Sequence, residues 1–186
     1  EEEEEQEETI DFDAVDIFGI EDVQDIGGGM PLFKEFLPED WFMMGLRFEL
    51  SLLVHAFRRD ANDPERTGIH MDHLGFYYQK YFRKNLEPRQ FGVDSIPAIV
   101  SLIVDTLNVT KSQIVESLLA EDFEVPGVFV QLAEEDRRFR KLSVDAGDES
   151  MRLKVQNKGY GGAQAGGYGG GGYGGGGYGG GGYGGG

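Results

Sequence analysis

Apolar residues recur at helical spacing along three stretches of the chain, each bracketed by turn residues. From Trp41 to about Arg59, Phe42, Leu46, Leu50, Leu53 and Phe57 mark one side of a predicted helix, with Trp41, Phe48, Leu52 and Ala56 on another. A helix apolar on most sides belongs at the centre of a domain. Asp40 is placed to cap it, and "NDPERTG" supplies the turn that ends it. The next stretch, Ile69 to Leu86, reads "IHMDHLGFYYQKYFRKNL". Within it Leu74, Tyr77, Tyr78, Tyr81 and Phe82 sit at i, i+3, i+4, i+7 and i+8, a continuous stripe that predicts a second helix packed on the first. A third follows the turn "FGVDS", with Asp94 or Ser95 as cap and Pro97 in its first turn. Ile96, Ile99, Val100, Ile103 and Leu107 line its buried face.

Downstream, Thr110-Lys-Ser-Gln113 reads as a capping box opening a short helix with Ile114, Val115, Leu118 and Leu119 inward. "VFVQL" at 128–132 is a candidate strand, and "AEEDRRFRKL" after it a charged helix. The flanks have a different character. "EEEEEQEE" is a self-repelling block expected to be disordered. From Ile10 to Ile26, acids alternate with Phe12, Val15, Ile17, Phe18 and Ile20, a pattern suited to a docking segment or equally to packing on its own domain. Gly27-Gly-Gly29 lacks the following lysine and hydroxyl of a phosphate loop and is expected to be a linker. The organisation expected is an acidic, largely disordered arm at 1–32, a folded domain at 33–144, a linker at 145–158 and a tail at 159–186. In that tail Tyr168, Tyr173, Tyr178 and Tyr183 recur in a YGGGG repeat, which buries too little apolar area to offset its backbone entropy.

Charge sharpens this division. The formal net charge is −17, yet the first 40 residues hold 16 acids against Lys34 alone. Beyond them 18 acids (34 − 16) face 16 bases (17 − 1), a balance of −2. An acidic arm is thus joined to a nearly neutral domain, and only the domain's local charge decides whether a polyanion binds. With no cysteine in the chain, disulfides, thiolate metal sites and a cysteine nucleophile are excluded. No apolar run reaches the roughly 18–20 residues of a spanning helix. No signal peptide is visible, so an intracellular protein, cytoplasmic or nuclear, is expected without membrane association. Beginning at Glu1 rather than Met, the chain is expected to be a fragment or a processed product.

The aromatic stripe leaves Gln79, Lys80, Arg83 and Lys84 on the opposite side of the second helix, with Arg89 just beyond its end. Such a face is either a solvated basic end, favoured near a helix C-terminus, or a phosphate-contacting surface. Arg137, Arg138, Arg140 and Lys141 of "RRFRK" form a second candidate contact. His70 and His73 have a spacing that a helix can use for a metal, but zinc needs further ligands that no cysteine supplies. Neither metal nor cofactor is expected. Absence of a nucleophile–base motif such as GxSxG argues against an enzyme.

Three helices, a short turn before the third and a β element afterwards describe a winged-helix-like arrangement. Within it, "HLGFYYQKYFRKNL" followed by "FGVDSIPAIVSLI" resembles the LOTUS (OST-HTH) domain family. Leu74, Tyr78, Phe82, Phe91-Gly92-Val93, Ser95, Ile96 and Ile99 carry the resemblance, over roughly residues 46–133. It implies germline or granule RNA biology, by direct RNA binding or by docking a DEAD-box helicase. The segment "RRDANDPERTGIHMDH" is longer than that family's usual connection. The tail is similar in composition to the Gly/Tyr-rich tails of glycine-rich and heterogeneous nuclear RNA-binding proteins.

The fold expected is therefore mostly α: a compact helical, winged-helix-like domain with a short β element, between a disordered acidic N-terminal arm and a disordered Gly/Tyr-rich tail. The function expected is a non-enzymatic, ribonucleoprotein-associated adaptor. Lys80, Arg83, Lys84 and Arg89 would contact RNA backbone weakly and in a salt-dependent way. The RRFRK cluster would assist, and the four repeat tyrosines would stack on bases. The acidic arm would compete for the same bases. The alternative is a protein–protein module that docks a helicase or another partner through the arm and a helical face. The sequence does not fix the oligomeric state.

Overall fold

Helix α1 runs from Pro38 to Ala61. Asp40 stands in its first turn rather than at the cap, and its carboxylate accepts the Leu37 N–H at 2.8 Å. Proline in the first turn needs no N–H partner, so the start is set by both residues. Asn62, in the left-handed conformation (φ 48°), closes the helix by donating to the Arg58 carbonyl. The computed structural model describes residues 10–121 and 127–156. Among them are four α-helices and three short strands, making the domain mostly helical with a small antiparallel sheet.

After α1 the chain crosses Gly68, whose Cα lies so close to the Val115 carbonyl that a Cβ would collide with it. That approach lets strand β1 (Ile69–His70) pair with β3 (Ile114–Ser117). A 3-10 turn leads into α2 (Leu74–Phe82), which ends on Arg83 in the left-handed conformation (φ 59°). The aromatic stripe lies where its spacing places it: Leu74 and Tyr78 are buried, while Tyr77, Tyr81 and Phe82 pack on the core's edge. The rings of Tyr77 and Phe57 meet edge-to-face at 4.8 Å, joining α2 to α1.

Ser95 caps α3 (Ile96–Ser101) by accepting the Ala98 N–H, and Ile99, Val100, Ile103 and Leu107 are buried as their spacing predicts. The helix is shorter than that periodicity suggests. It gives way to turns, and Leu107 opens strand β2 (Leu107–Val109). The sheet order is β1-β3-β2, with Val115 facing Ile69 on one side and Val109 on the other.

Two local expectations are corrected here. Thr110–Gln113 opens no helix; it is the turn of the β2–β3 hairpin. The Thr110 hydroxyl accepts the Ile114 N–H at 3.1 Å, and Gln113 takes a positive φ of 63°. The β-branched pair Ile114-Val115 favours the extended state once two flanking strands can bond to it. "VFVQL" likewise is no strand but the first turns of α4 (Gly127–Asp145). A short apolar run is ambiguous by periodicity alone. Here Phe129, Val130, Leu132 and Ala133 all find buried positions on α1's flank and against the arm.

The flanking segments are built into the domain where they are described. Residues 1–9 lie outside the described residues, as does the tail from 157. Between them and the helices, Ile17 and Leu32 pack with Val130 in a second, smaller core, edged by Phe33, Phe36 and Met44. Gly27–Gly29, expected as a linker, is a tight reversal with φ positive at all three residues. Asp25 accepts the N–H groups of Gly27 and Gly29, and Leu32 donates back to the Val23 carbonyl. At the other end, Leu153 and Val155 return to the main core, and Gln156 donates to the Gln90 carbonyl at 2.8 Å. No described helix is long and apolar enough to cross a membrane.

Candidate functional site

The basic residues singled out on α2 separate into two sets. Lys80, Arg83 and Arg89 are exposed and have no ion-pair partner among the described residues; the Lys80 ammonium lies 6.0 Å over the Tyr77 ring. Lys84 instead meets Glu49 of α1 at 2.6 Å, and the Tyr78 hydroxyl donates to the same carboxylate at 2.5 Å. Glu49 therefore removes one cation from the expected phosphate-contacting face.

The RRFRK cluster is turned inward. Glu134, fully buried on α4, accepts from Arg137 at 2.7 Å and from Arg138 at 2.8 Å. Their i,i+3 and i,i+4 spacing brings both guanidinium groups to one carboxylate. The hydrogen bonds it donates to Glu134 hold Arg137 protonated even more firmly than usual. Arg138 also donates to the carbonyls of Phe12 (2.6 Å) and Val15 (2.9 Å), clamping the arm onto α4. Arg140 bridges Asp40 at 2.7 Å and Asp136 at 3.0 Å. Of the four bases in this cluster only Lys141 is exposed, with Asp13 at 4.0 Å. The arm thus touches Arg138 through backbone carbonyls and Lys141 through the Asp13 carboxylate. Tyr168, Tyr173, Tyr178 and Tyr183 lie outside the described residues.

Sequence reasoning missed the centre of this network. Arg47 of α1 is fully buried, with Asp105 at 2.8 Å and Asp136 at 3.4 Å. No periodicity announces such a contact, because its partners are far away in the chain. Elsewhere, burial first and then a hydrogen bond to Asp60 push the Tyr81 hydroxyl up to about 12. The rings of His70 and His73 are 5.7 Å apart, and His70 Nδ1 accepts the Asp72 N–H. Among the described residues, no three His, Asp or Glu side chains gather as a metal site.

The second apolar side of α1 borders a cleft. Trp41 and Phe48 remain 42% and 38% exposed on one wall of this cleft of about 600 Å³. Met44 lies between them, and residues 127–131 at the start of α4 form the facing wall. The arm closes one end through Ile20 and Val23, with Glu21 and Asp22 on the rim. Aromatic contacts fix the walls: Trp41 meets Phe33 at 5.2 Å and Phe36 at 5.1 Å, and Phe48 meets Phe129 edge-to-face at 5.4 Å. Gln131 holds the arm in place by donating to the carbonyls of Ile17 and Ile20. No lysine or arginine is among the described lining residues. No known protein family, curated protein or solved structure matches this chain.

Proposed function

We propose that this chain is a non-catalytic docking module that binds a partner protein in the cleft between the arm, α1 and α4. One observation carries the reading: Trp41 and Phe48 stay half exposed in a preformed cleft although the chain's own arm packs beside them. Large aromatic side chains at the rim of a concave apolar surface are the usual anchors of protein interfaces. The order helix, strand, two helices and a β-hairpin is also that of a winged-helix arrangement, which supports the LOTUS-like reading and its implied helicase docking. A photo-crosslinking residue placed at Phe48, with a second version at exposed Phe76 on α2, tests the proposal in cells. A protein adduct of one reproducible mass from position 48, absent from position 76 and lost with Met44→Glu, is expected. Equal adducts from both positions would remove the case for this cleft.

A second reading, weak RNA contact, is supported by Lys80, Arg83 and Arg89, which are exposed and have no ion-pair partner among the described residues. It predicts single-stranded RNA binding that falls steeply with salt. Replacing these three residues together would flatten the salt slope by about 2–3. Titrating labelled RNA at two salt concentrations against wild type and the triple variant decides it; coincident curves end this reading.

A further inference from the structure

We propose that the occupant of the cleft is a cationic amphipathic segment of a partner protein, seating apolar side chains between Trp41 and Phe48 and its lysines or arginines against Glu21 and Asp22. This rests on the docking reading above and adds the chemistry of the partner. The floor is apolar and aromatic, and its volume suits a few side chains rather than a folded surface.

The rim sets the sign. Glu21 and Asp22 border the cleft and also a neighbouring hollow that Asp16 and Asp25 line, so four acidic residues gather at this end of the cleft. Cations that could neutralise these acids are engaged elsewhere, Arg138 by Glu134 and the arm's carbonyls, Arg140 by Asp40 and Asp136. Lys34 is the only base in the first 40 residues, and it lies over the Phe12 ring. The start of α4 contributes a partial positive charge of about half a unit, well below that of the acids.

Other occupants fit less well. A second copy related by a two-fold axis would bring one acidic rim against another, which costs rather than gains. The chain's own tail has no charged side chain beyond Lys158 and so offers these acids no cation there.

Trp41 is the chain's sole tryptophan, so its emission reports the cleft and ignores binding to the Glu-rich N-terminus. The probe is a tryptophan-free designed 15-residue peptide with Leu at i, i+3, i+4 and i+7 and Lys on the other face. A matched peptide carries Glu in place of Lys. With the full chain, the Lys peptide is expected to shift Trp41 emission and to bind at least about tenfold more tightly than the Glu peptide, a gap that narrows with salt. The surface variant E21Q/D22N should weaken the Lys peptide and leave the Glu peptide unweakened. Equal binding of both peptides, or a Lys peptide indifferent to E21Q/D22N, overturns the cationic partner but leaves a docking cleft. If neither peptide moves Trp41 emission, the docking reading itself fails. A shift that depends on protein concentration alone assigns the cleft to a second copy. One that appears on deleting residues 157–186 assigns it to the tail, and either result also overturns the proposal.

Discussion

The Arg47 guanidinium, sealed inside the domain, grips Asp105 at the turn into β2 through a two-pronged contact, Nε at 3.1 Å and Nη2 at 2.8 Å. Asp136 approaches the same guanidinium from α4 and passes the chain of charges on to Arg140 and Asp40. One buried cation thereby fixes α1, the end of the α3 segment and α4 relative to one another.

Removing Asp105 leaves the buried Arg47 charge to Asp136 at 3.4 Å, a weaker compensation. Asp105→Ala is expected to cost up to about 3–5 kcal/mol in urea unfolding. Replacing both, as Arg47→Met with Asp105→Leu, should recover most of that loss, because no buried charge then remains unmatched. A double variant as unstable as the single one would mean that Arg47 acts through packing alone.

Arg138 joins the arm to α4 through the carbonyls of Phe12 and Val15. Arg138→Ala should therefore loosen residues 10–20 while the main core keeps its protection. Amide hydrogen exchange of the two regions checks this. Protection that falls equally in α2 and the arm would show that the clamp supports the whole fold.

Two glycines predict opposite outcomes. Gly68→Ala forces a Cβ onto the Val115 carbonyl, parting β1 from β3, and should cost about 1–3 kcal/mol. Gly45 lies inside α1 with open space where its Cβ would stand, so Gly45→Ala should stabilise by up to about 1 kcal/mol. Urea midpoints for the two variants should fall on either side of the wild type.

His55 is buried in α1, and that burial holds its pKa below the ordinary 6.5, outweighing the opposing influence of Glu121. The folded state thus resists a proton that the unfolded chain accepts. Full stability is present above about pH 6.5 and is lost as pH falls from there towards the lowered folded value. His55→Leu should make the stability difference between pH 7.5 and 5.5 smaller. An unchanged difference would place the acid sensitivity in the carboxylates.

The sequence by itself determined the faces of the helices. Leu74, Tyr78 and Ile99 are buried where their spacing put them, because a 3.6-residue period is a local property that a helix converts directly into a side. It also showed that α1 has a second apolar side at Trp41, Phe48 and Leu52. Segments whose local pattern fits two states were decided by their neighbours. Ile114-Val115 became a strand because β1 and β2 lie on either side to receive it, and "VFVQL" became helix because α1 and the arm cover it. Only the tertiary structure settled the charges. Arg47 and Asp105 are 58 positions apart, and Arg138 and Phe12 126 apart, so no local pattern links them. Which bases reach solvent, and whether the second apolar side of α1 is covered or left as a cleft, depend on which distant segments meet. Burial and charge pairing act through space, whereas a sequence pattern records only order along the chain.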